Sequence, residues 1–211
     1  IAAVFANRIT DEAELRNAVF PAALEAHREA QPLGSGIDVA ASTFGGVVHC
    51  VRREDGSLDV TPAKLPDDLV LEVFTCPAAA STGQLLEKIE AFKQTDAATY
   101  RAQMDAAMAG ARSAAAAQDA DTFIQGIGAQ IEALGNLGRA ASAQIVLRAV
   151  AELNTLAKAD GAVFGPSGAG GGDIALWVGK SRPSEAFLAR AAFHRLEPLS
   201  LMVGARGLYI G

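Results

Sequence analysis

Apolar and polar residues follow two patterns along the chain, one with the spacing of amphipathic helices and one with the short apolar runs of strands. A first helix is predicted over residues 11–31, because apolar residues recur at helical spacing and Asp11 forms an N-terminal capping pattern with Glu14. A second, short helix is predicted over residues 37–44, since the glycine pair at 45–46 would end it. The chain is therefore expected to place helices ahead of its first strands.

Strand patterns begin after the second helix. Residues 47–52 and 58–63 are predicted to pair as a hairpin, because an Asp-Gly step at 55–56 lies between them, and residues 69–76 form a third strand. Predicted helices then cover residues 83–92, 98–118, 120–134, 141–159 and 183–194, and predicted later strands cover residues 162–164, 174–179, 199–203 and 206–210. A sheet with a separate helical layer is typical of the α+β class.

Composition and charge narrow the possible functions. With 211 residues, 50% of them hydrophobic, the chain can bury the core of one large domain or two small ones. A net charge of −6 argues against a nucleic-acid partner, because affinity for backbone phosphates needs clustered Lys and Arg. No apolar run approaches the roughly 18 residues of a membrane span, and the N-terminus has no signal-peptide pattern, so we predict a cytoplasmic protein with no membrane partner. Cys50 and Cys76 are predicted to be buried thiols, since two distant cysteines suit neither a zinc motif nor a disulfide framework.

The most distinctive segment is a glycine-rich loop at residues 165–173, Gly-Pro-Ser-Gly-Ala-Gly-Gly-Gly-Asp. Successive glycines reach left-handed conformations and let backbone N–H groups converge on a closely approaching ligand, most often an anion. Apolar runs on both sides predict that the loop joins two buried strands; the alternative is a flexible linker. The spacing matches neither the dinucleotide fingerprint nor the P-loop, so the loop alone is a weak signal.

A second glycine loop makes the signal specific. Residues 34–40 read Gly-Ser-Gly-Ile-Asp-Val-Ala, and residues 26–31 just before them read Ala-His-Arg-Glu-Ala-Gln. Together with Pro-Ser-Gly-Ala-Gly-Gly-Gly-Asp at 166–173, these motifs resemble the GHMP small-molecule kinases, most closely the phosphomevalonate kinases. The resemblance extends over nearly the whole chain.

The resemblance implies an architecture and an activity. Residues 1–76 would be part of the N-terminal nucleotide and catalytic domain, and residues 77–211 a ferredoxin-like C-terminal substrate domain with added helices. The enzyme would use ATP and Mg²⁺ to phosphorylate 5-phosphomevalonate to the diphosphate. The family's upstream ATP-phosphate loop has no counterpart here, and residues 1–6 would correspond to the end of the helix that follows that loop. The chain is therefore expected to be a fragment that binds the phosphorylated acceptor weakly and does not catalyse transfer.

The resemblance also implies site residues. Asp38 would be the catalytic group, orienting or deprotonating the acceptor, whereas spacing alone equally allows a helix-capping aspartate. His27 would contact the substrate, although a lone helical histidine is more often structural. Ser81 and Thr82 would meet an anion at a helix start, a geometry that ordinary N-capping shares. The full predicted substrate-binding set is His27, Gln31, Ser35, Gly36, Ser81, Thr82, Ser167, Gly168, Ala169, Gly170 and Asp173.

Two other functions stay open at this point. One is a GHMP kinase with a different acceptor, such as mevalonate or a sugar. The other is a module that holds a phosphorylated metabolite without turning it over. The sequence departs from the family pattern at one position: the residue before Pro166, often basic in the family, is Gly165. A phosphate contact would therefore be missing there or supplied by another residue. The metal ligands, the catalytic lysine and the oligomeric state are not indicated by the sequence.

Overall fold

A computed structural model describes residues 9–32, 34–53, 55–77 and 82–210 and divides the chain into two compact units. The first unit extends to Leu65 and also contains the segment from Met202 onward, and the second is Pro66–Leu201. This division differs from the boundary predicted after residue 76, because the strand Val70–Thr75 pairs with strands of the second unit. The first unit is therefore discontinuous in sequence, and the second is continuous.

The described part of the first unit contains two helices and a hairpin, in the predicted order. Helix α1 is Glu12–Ala30, helix α2 is Ile37–Phe44, and strands β1 and β2 are Val47–Arg52 and Leu58–Ala63. The predicted cap is confirmed: the Asp11 carboxylate accepts a hydrogen bond from the Glu14 N–H at 2.8 Å. The two strands are antiparallel, with Val47 opposite Ala63. Local capping and turn residues determine these elements, which is why their bounds follow the sequence closely.

The end of the chain differs from the prediction. Residues 206–210 form no strand; a single bridge joins Arg206 to Gly45, and the Leu208 N–H donates to the Thr43 carbonyl at 2.9 Å. A glycine with φ of +78° at position 204 and a second glycine at 207 interrupt the apolar pattern. A Cβ at Gly45 would overlap the Gly207 backbone, so glycine allows the two chain segments to touch. The segment therefore packs as irregular chain against the start of β1.

The described part of the second unit contains five helices. They are α3 (Thr82–Thr95), α4 (Ala97–Ala116), α5 (Ala120–Ala140), α6 (Arg148–Ala159) and α7 (Glu185–Phe193). The alanine-rich stretch is helical, as predicted, and α4 and α5 pack as a hairpin so closely that a Cβ at Gly126 would lie 2.6 Å from the Ala114 nitrogen. Two predicted bounds are wrong: α5 continues past residue 134, and α6 begins only at Arg148. Ser142, with φ of +52°, lies in the turn that separates α5 from α6.

The second unit also contains a four-stranded antiparallel sheet, and helices pack on both of its faces. Strands β4 (Val163–Pro166), β5 (Ile174–Gly179), β3 (Val70–Thr75) and β6 (Glu197–Leu199) lie in the order β4-β5-β3-β6. With the helices that precede β4 and with α7, the strands form a ferredoxin-like βαββαβ arrangement. A ferredoxin-like domain was predicted, but over residues 77–211 and therefore without β3. The predicted closing strand at 199–203 is wrong in position, since β6 ends at Leu199. The buried rings of Phe74, Phe164, Phe187 and Trp177 make edge-to-face contacts and fill the space between sheet and helices.

Candidate functional site

The glycine-rich loop of the second unit connects two strands that are paired up to its edges. Pro166 at the end of β4 lies opposite Ala175 of β5, and the Ser167 N–H donates to the Ile174 carbonyl at 3.1 Å. Gly168 and Gly170 have φ of +84° and +82°, the left-handed region that glycine alone enters without strain. The prediction of a loop joining two strands and built on left-handed glycines is confirmed, and the flexible-linker alternative does not describe this segment.

The two halves of the loop have different surroundings. The Gly171 N–H donates to the Ile145 carbonyl at 2.9 Å, and a Cβ at Gly170 would overlap that same oxygen. At Gly168, by contrast, a Cβ would meet no atom within 4 Å, and Ala169 is exposed. The second half of the loop is therefore fixed against the turn between α5 and α6, whereas the first half leaves its backbone accessible to a ligand.

The first turn of α3 also contacts this loop. A Cβ at Gly171 would lie 2.8 Å from the Leu85 Cδ1 atom, so the helix that begins at Thr82 packs directly on the glycines. Thr82 is exposed at the start of that helix. Ser81, the other residue predicted here, lies outside the described residues. The structure thus brings the start of α3 and the glycine loop together within one unit.

Cys76 is a neighbour of the loop that the sequence analysis did not place there. Its N–H donates to the Asp173 carbonyl at 2.7 Å, just beyond the paired residues Thr75 and Ile174. Burial raises the pKa of the Cys76 thiol, and the negative charge of Asp173 raises it further. The thiol therefore stays protonated beside the exposed Asp173 side chain. This contact depends on the pairing of β3 with β5, which brings together segments that are far apart in the sequence. No local sequence signal could have revealed it.

In the first unit, the loop between α1 and α2 contains the other glycine motif and leads into the helix turn that carries Asp38. Gly36 caps α2 in a left-handed conformation, with φ of +75° and no side-chain capping bond. The Ser35 hydroxyl accepts a hydrogen bond from the Ile37 N–H at 3.4 Å. Asp38 lies in the first turn of α2 with its side chain 71% exposed. Since Gly36 occupies the cap position, Asp38 is not the N-cap residue that the alternative interpretation required.

His27 lies beneath this loop on α1. Its side chain is 14% exposed, and its Nδ1 atom lies 3.8 Å from an Asp38 carboxylate oxygen. The Nε2 atom is buried and has no hydrogen-bond partner among the described residues. Gln31 is the exposed C-cap of the same helix, and its carbonyl accepts a hydrogen bond from the Gly34 N–H at 2.8 Å. The structure therefore brings two predicted site residues, His27 and Asp38, into one cluster.

The described residues form neither a metal-ligand cluster nor a membrane-spanning helix. Among the described residues, no group of three or more His, Cys, Asp or Glu side chains is placed to hold a metal ion. In the same part of the chain, no helix combines the length and apolar character needed to cross a membrane.

Comparison with known proteins identifies the fold. No protein-family model and no curated protein sequence matches the chain. The solved structure of the Lin0012 protein from Listeria innocua superposes with a TM-score of 0.76 at 22% identity, covering 88% of this chain and 59% of that one. Streptococcus pneumoniae phosphomevalonate kinase, solved with phosphomevalonate and AMPPNP, gives a TM-score of 0.65 at 17% identity and covers 94% and 63%. L. major mevalonate kinase, solved with R-mevalonate, gives a TM-score of 0.57 at 22% identity, and the match covers 76% of this chain and 48% of that one.

The chain thus spans 48 to 63% of the length of these solved proteins. Identities of this size report on architecture, and the architecture agrees with the α+β arrangement already described. The two named kinases, of mevalonate and of phosphomevalonate, both align with this fold. On this evidence, the chain has the α+β fold of the GHMP small-molecule kinases.

Proposed function

We propose that this chain belongs to an ATP-dependent small-molecule kinase whose acceptor is 5-phosphomevalonate, with 5-diphosphomevalonate as the product. The observation that carries the proposal is the joint occurrence of this fold and two glycine loops whose conformations suit phosphate chemistry. In the first unit, Asp38 would be the catalytic group; in the second unit, the loop at residues 165–173 would bind the acceptor. The family's catalytic and substrate domains, predicted as residues 1–76 and 77–211, would then divide after Leu65 rather than after residue 76.

The position of Asp38 supports its assignment as the catalytic group. Its carboxylate is exposed at the start of α2, beside the Ser35 hydroxyl and the Gly36 backbone. Phosphoryl transfer needs mainly positioning and electrostatic stabilisation, together with a group that orients the attacking oxygen. Because a phosphate acceptor is already ionised near neutral pH, Asp38 would orient the acceptor or a metal ion rather than remove a proton.

The open half of the second glycine loop supports the assignment of an acceptor site. Ser167 is half-buried and Ala169 is exposed. The loop that contains them is fixed at both ends by the paired strands β4 and β5. Backbone N–H groups held in such a loop bind anionic oxygens without rearrangement. The start of α3 at Thr82 adds a helix N-terminus, which favours a negatively charged ligand. A phosphorylated acceptor fits these groups better than a neutral one.

ATP and Mg²⁺ complete the proposal. Mg²⁺ in phosphoryl-transfer sites takes one or two carboxylates and obtains its other ligands from phosphates and water, so the lack of a larger ligand cluster among the described residues is compatible with its use. Bound Mg²⁺ would neutralise charge on the transferred phosphoryl group.

Two alternatives remain as outcomes of the test. Fold likeness extends to a mevalonate kinase, so another acceptor such as mevalonate or a sugar is possible within the same class. A non-catalytic protein that holds a phosphorylated metabolite would use the same loops. The two differ in turnover and in acceptor preference.

The test is a coupled assay of ADP formation by the full-length protein that carries this chain, with 5-phosphomevalonate, mevalonate and galactose as acceptors. We expect turnover with 5-phosphomevalonate, and a loss of about 100-fold or more in kcat for Asp38→Asn with the fold intact. Glu25→Gln, at an exposed position of the same unit, is the matched control and should leave turnover unchanged. Preference for mevalonate or galactose would reject the acceptor, and normal turnover of Asp38→Asn would reject Asp38. Binding of 5-phosphomevalonate without turnover of any acceptor would favour the metabolite-binding alternative.

A further inference from the structure

The two nitrogens of the His27 imidazole have opposite surroundings. The Nδ1 atom lies 3.8 Å from the nearest Asp38 carboxylate oxygen, slightly beyond hydrogen-bond length. The Nε2 atom is buried and has no hydrogen-bond partner among the described residues. A neutral imidazole carries one proton, and the partners of the two nitrogens decide which of them holds it.

The buried nitrogen favours one tautomer. A proton on Nε2 would be a buried donor without an acceptor, which is among the costliest arrangements in a protein interior. A proton on Nδ1 points instead to a carboxylate, which accepts hydrogen bonds strongly. A shift of about half an ångström would bring the two atoms within hydrogen-bond distance.

We propose that His27 is a positioning residue for Asp38, whose carboxylate accepts a hydrogen bond from the His27 Nδ1–H group. The role of Asp38 in phosphoryl transfer is the proposed function on which this inference rests; the tautomer itself is independent of it. His27 then acts through Asp38 and contacts neither substrate nor nucleotide. This differs from the substrate contact that the sequence resemblance implies for His27.

The loop around the ring explains how His27 keeps its orientation. A Cβ at Gly34 would overlap Nε2 and would lie 3.1 Å from the Gln31 carbonyl oxygen, so only glycine lets the turn close over the imidazole. That turn is held by the Gly34 N–H, which donates to the Gln31 carbonyl at 2.8 Å. One turn earlier on α1, the buried Leu24 packs against Gly36 in the same way. The run at residues 26–31 and the loop at 34–40 therefore pack against each other, and the glycines of the loop make this close contact possible.

The consequence concerns the freedom of Asp38. A carboxylate that is 71% exposed samples several rotamers, and each rotamer directs its oxygens to a different place. A donor on a buried, immobile ring selects one of them. Since catalytic groups must be held within a fraction of an ångström, loss of this donor should reduce kcat while leaving ligand affinity nearly unchanged.

The first experiment measures the tautomer directly and requires no activity. Long-range ¹H–¹⁵N correlation spectra of the ¹⁵N-labelled protein distinguish the two ring nitrogens, and the chain has three histidines. The His27 signals are identified by their loss in His27→Gln. At a pH where the nitrogen shifts show a neutral ring, we expect the Nδ1–H tautomer. An Nε2–H tautomer would overturn the proposal.

The second experiment compares two amide variants in the full-length protein. The side-chain nitrogen of Asn lies near the place of Nδ1, and that of Gln near the place of Nε2, so His27→Asn preserves the donor and His27→Gln displaces it. We expect His27→Gln to lower kcat about tenfold or more with KM changed less than about threefold, and His27→Asn to recover much of the loss. In the Asp38→Asn background, His27→Gln should have little further effect on kcat, because the residue it positions is already altered.

The outcomes separate the two proposals. Equal losses for both amide variants, or additive losses in the double variant, would show that His27 has only a structural role. An Nδ1–H tautomer in a protein with no kinase activity would retain the His27–Asp38 hydrogen bond and reject the kinase. An Nε2–H tautomer in an active kinase that depends on Asp38 would reject the His27 inference alone.

Discussion

Two glycines of the loop between β4 and β5 provide a paired test of how the loop is held. Gly168 and Gly170 have nearly the same backbone conformation, with φ of +84° and +82°. Their surroundings differ: a Cβ at Gly168 would meet no atom within 4 Å, whereas a Cβ at Gly170 would overlap the Ile145 carbonyl oxygen and approach the Ile145 Cγ2 atom at 2.8 Å. Alanine at either position therefore has the cost of a left-handed backbone, but only alanine at position 170 also overlaps Ile145.

The magnitudes follow from these contacts. A left-handed conformation costs an alanine about 1–2 kcal/mol, and the lower entropy of the unfolded alanine chain returns about 0.4–1 kcal/mol. Gly168→Ala should therefore lower the free energy of unfolding by about 1 kcal/mol. Gly170→Ala adds an overpacking cost of about 1–3 kcal/mol, and displacement of Ile145 weakens its hydrogen bond from Gly171, worth about 1 kcal/mol. The expected total for Gly170→Ala is about 3–5 kcal/mol.

Denaturant unfolding followed by tryptophan fluorescence measures both effects. Trp177 is the single tryptophan of the chain and is fully buried in the second unit, on the strand that follows the loop. Each variant should keep the slope of the transition and shift only its midpoint. Equal midpoints for Gly168→Ala and Gly170→Ala would refute the argument, because the Ile145 contact would then contribute nothing to loop conformation.

Two further predictions concern the same unit. Phe187→Ala should lower the free energy of unfolding by about 3–5 kcal/mol, because the ring is fully buried among aromatic side chains. Phe193 is 71% exposed, so Phe193→Ala should lower it by less than about 1 kcal/mol. Equal losses for the two variants in fluorescence-detected unfolding would contradict the assigned core. Hydrogen bonding from the Arg190 guanidinium lowers the pKa of Glu152, so its stabilising contribution is present above the ordinary glutamate value of 4.5 and is lost as the pH falls below it. Glu152→Gln should therefore show a smaller fall in melting temperature on acidification than the unmodified chain, and an equal fall would exclude this ion pair as a source of acid sensitivity.

Elements with strong local signals could be predicted from the sequence. Helix α2 has the predicted bounds, because glycines flank residues 37–44 on both sides. The β1–β2 hairpin also has the predicted bounds, since an Asp-Gly step lies between its two alternating strands. The connection between β4 and β5 could also be predicted, because apolar runs lie on both sides of the glycines, although β4 extends to Pro166 and so includes the first two residues of the predicted loop. In each case the deciding residues lie within a few positions of the element.

Features that depend on tertiary contacts could not be predicted. The break between α5 and α6 was predicted at residues 135–140 but lies at residues 141–147. It is held there by the Ala143 N–H, which donates to the Gly138 carbonyl at 2.8 Å. The contact of Cys76 with Asp173 depends on the pairing of β3 with β5, which are far apart in sequence. The same limit applies to His27 and Asp38, because helical spacing places His27 on a face of α1 without showing what covers that face.

The discontinuity of the first unit has a consequence for biosynthesis. Translation completes all of Pro66–Leu201 before the segment from Met202 onward exists. The hydrogen bond from Leu208 to Thr43 and the bridge from Arg206 to Gly45 therefore cannot form on the nascent chain while the second unit is being made. Domains usually mature from the N-terminus during synthesis, but here the unit that emerges first from the ribosome is the last to be finished. During that interval the Thr43 carbonyl and the Gly46 N–H lack the hydrogen-bond partners that Leu208 and Ala205 later supply.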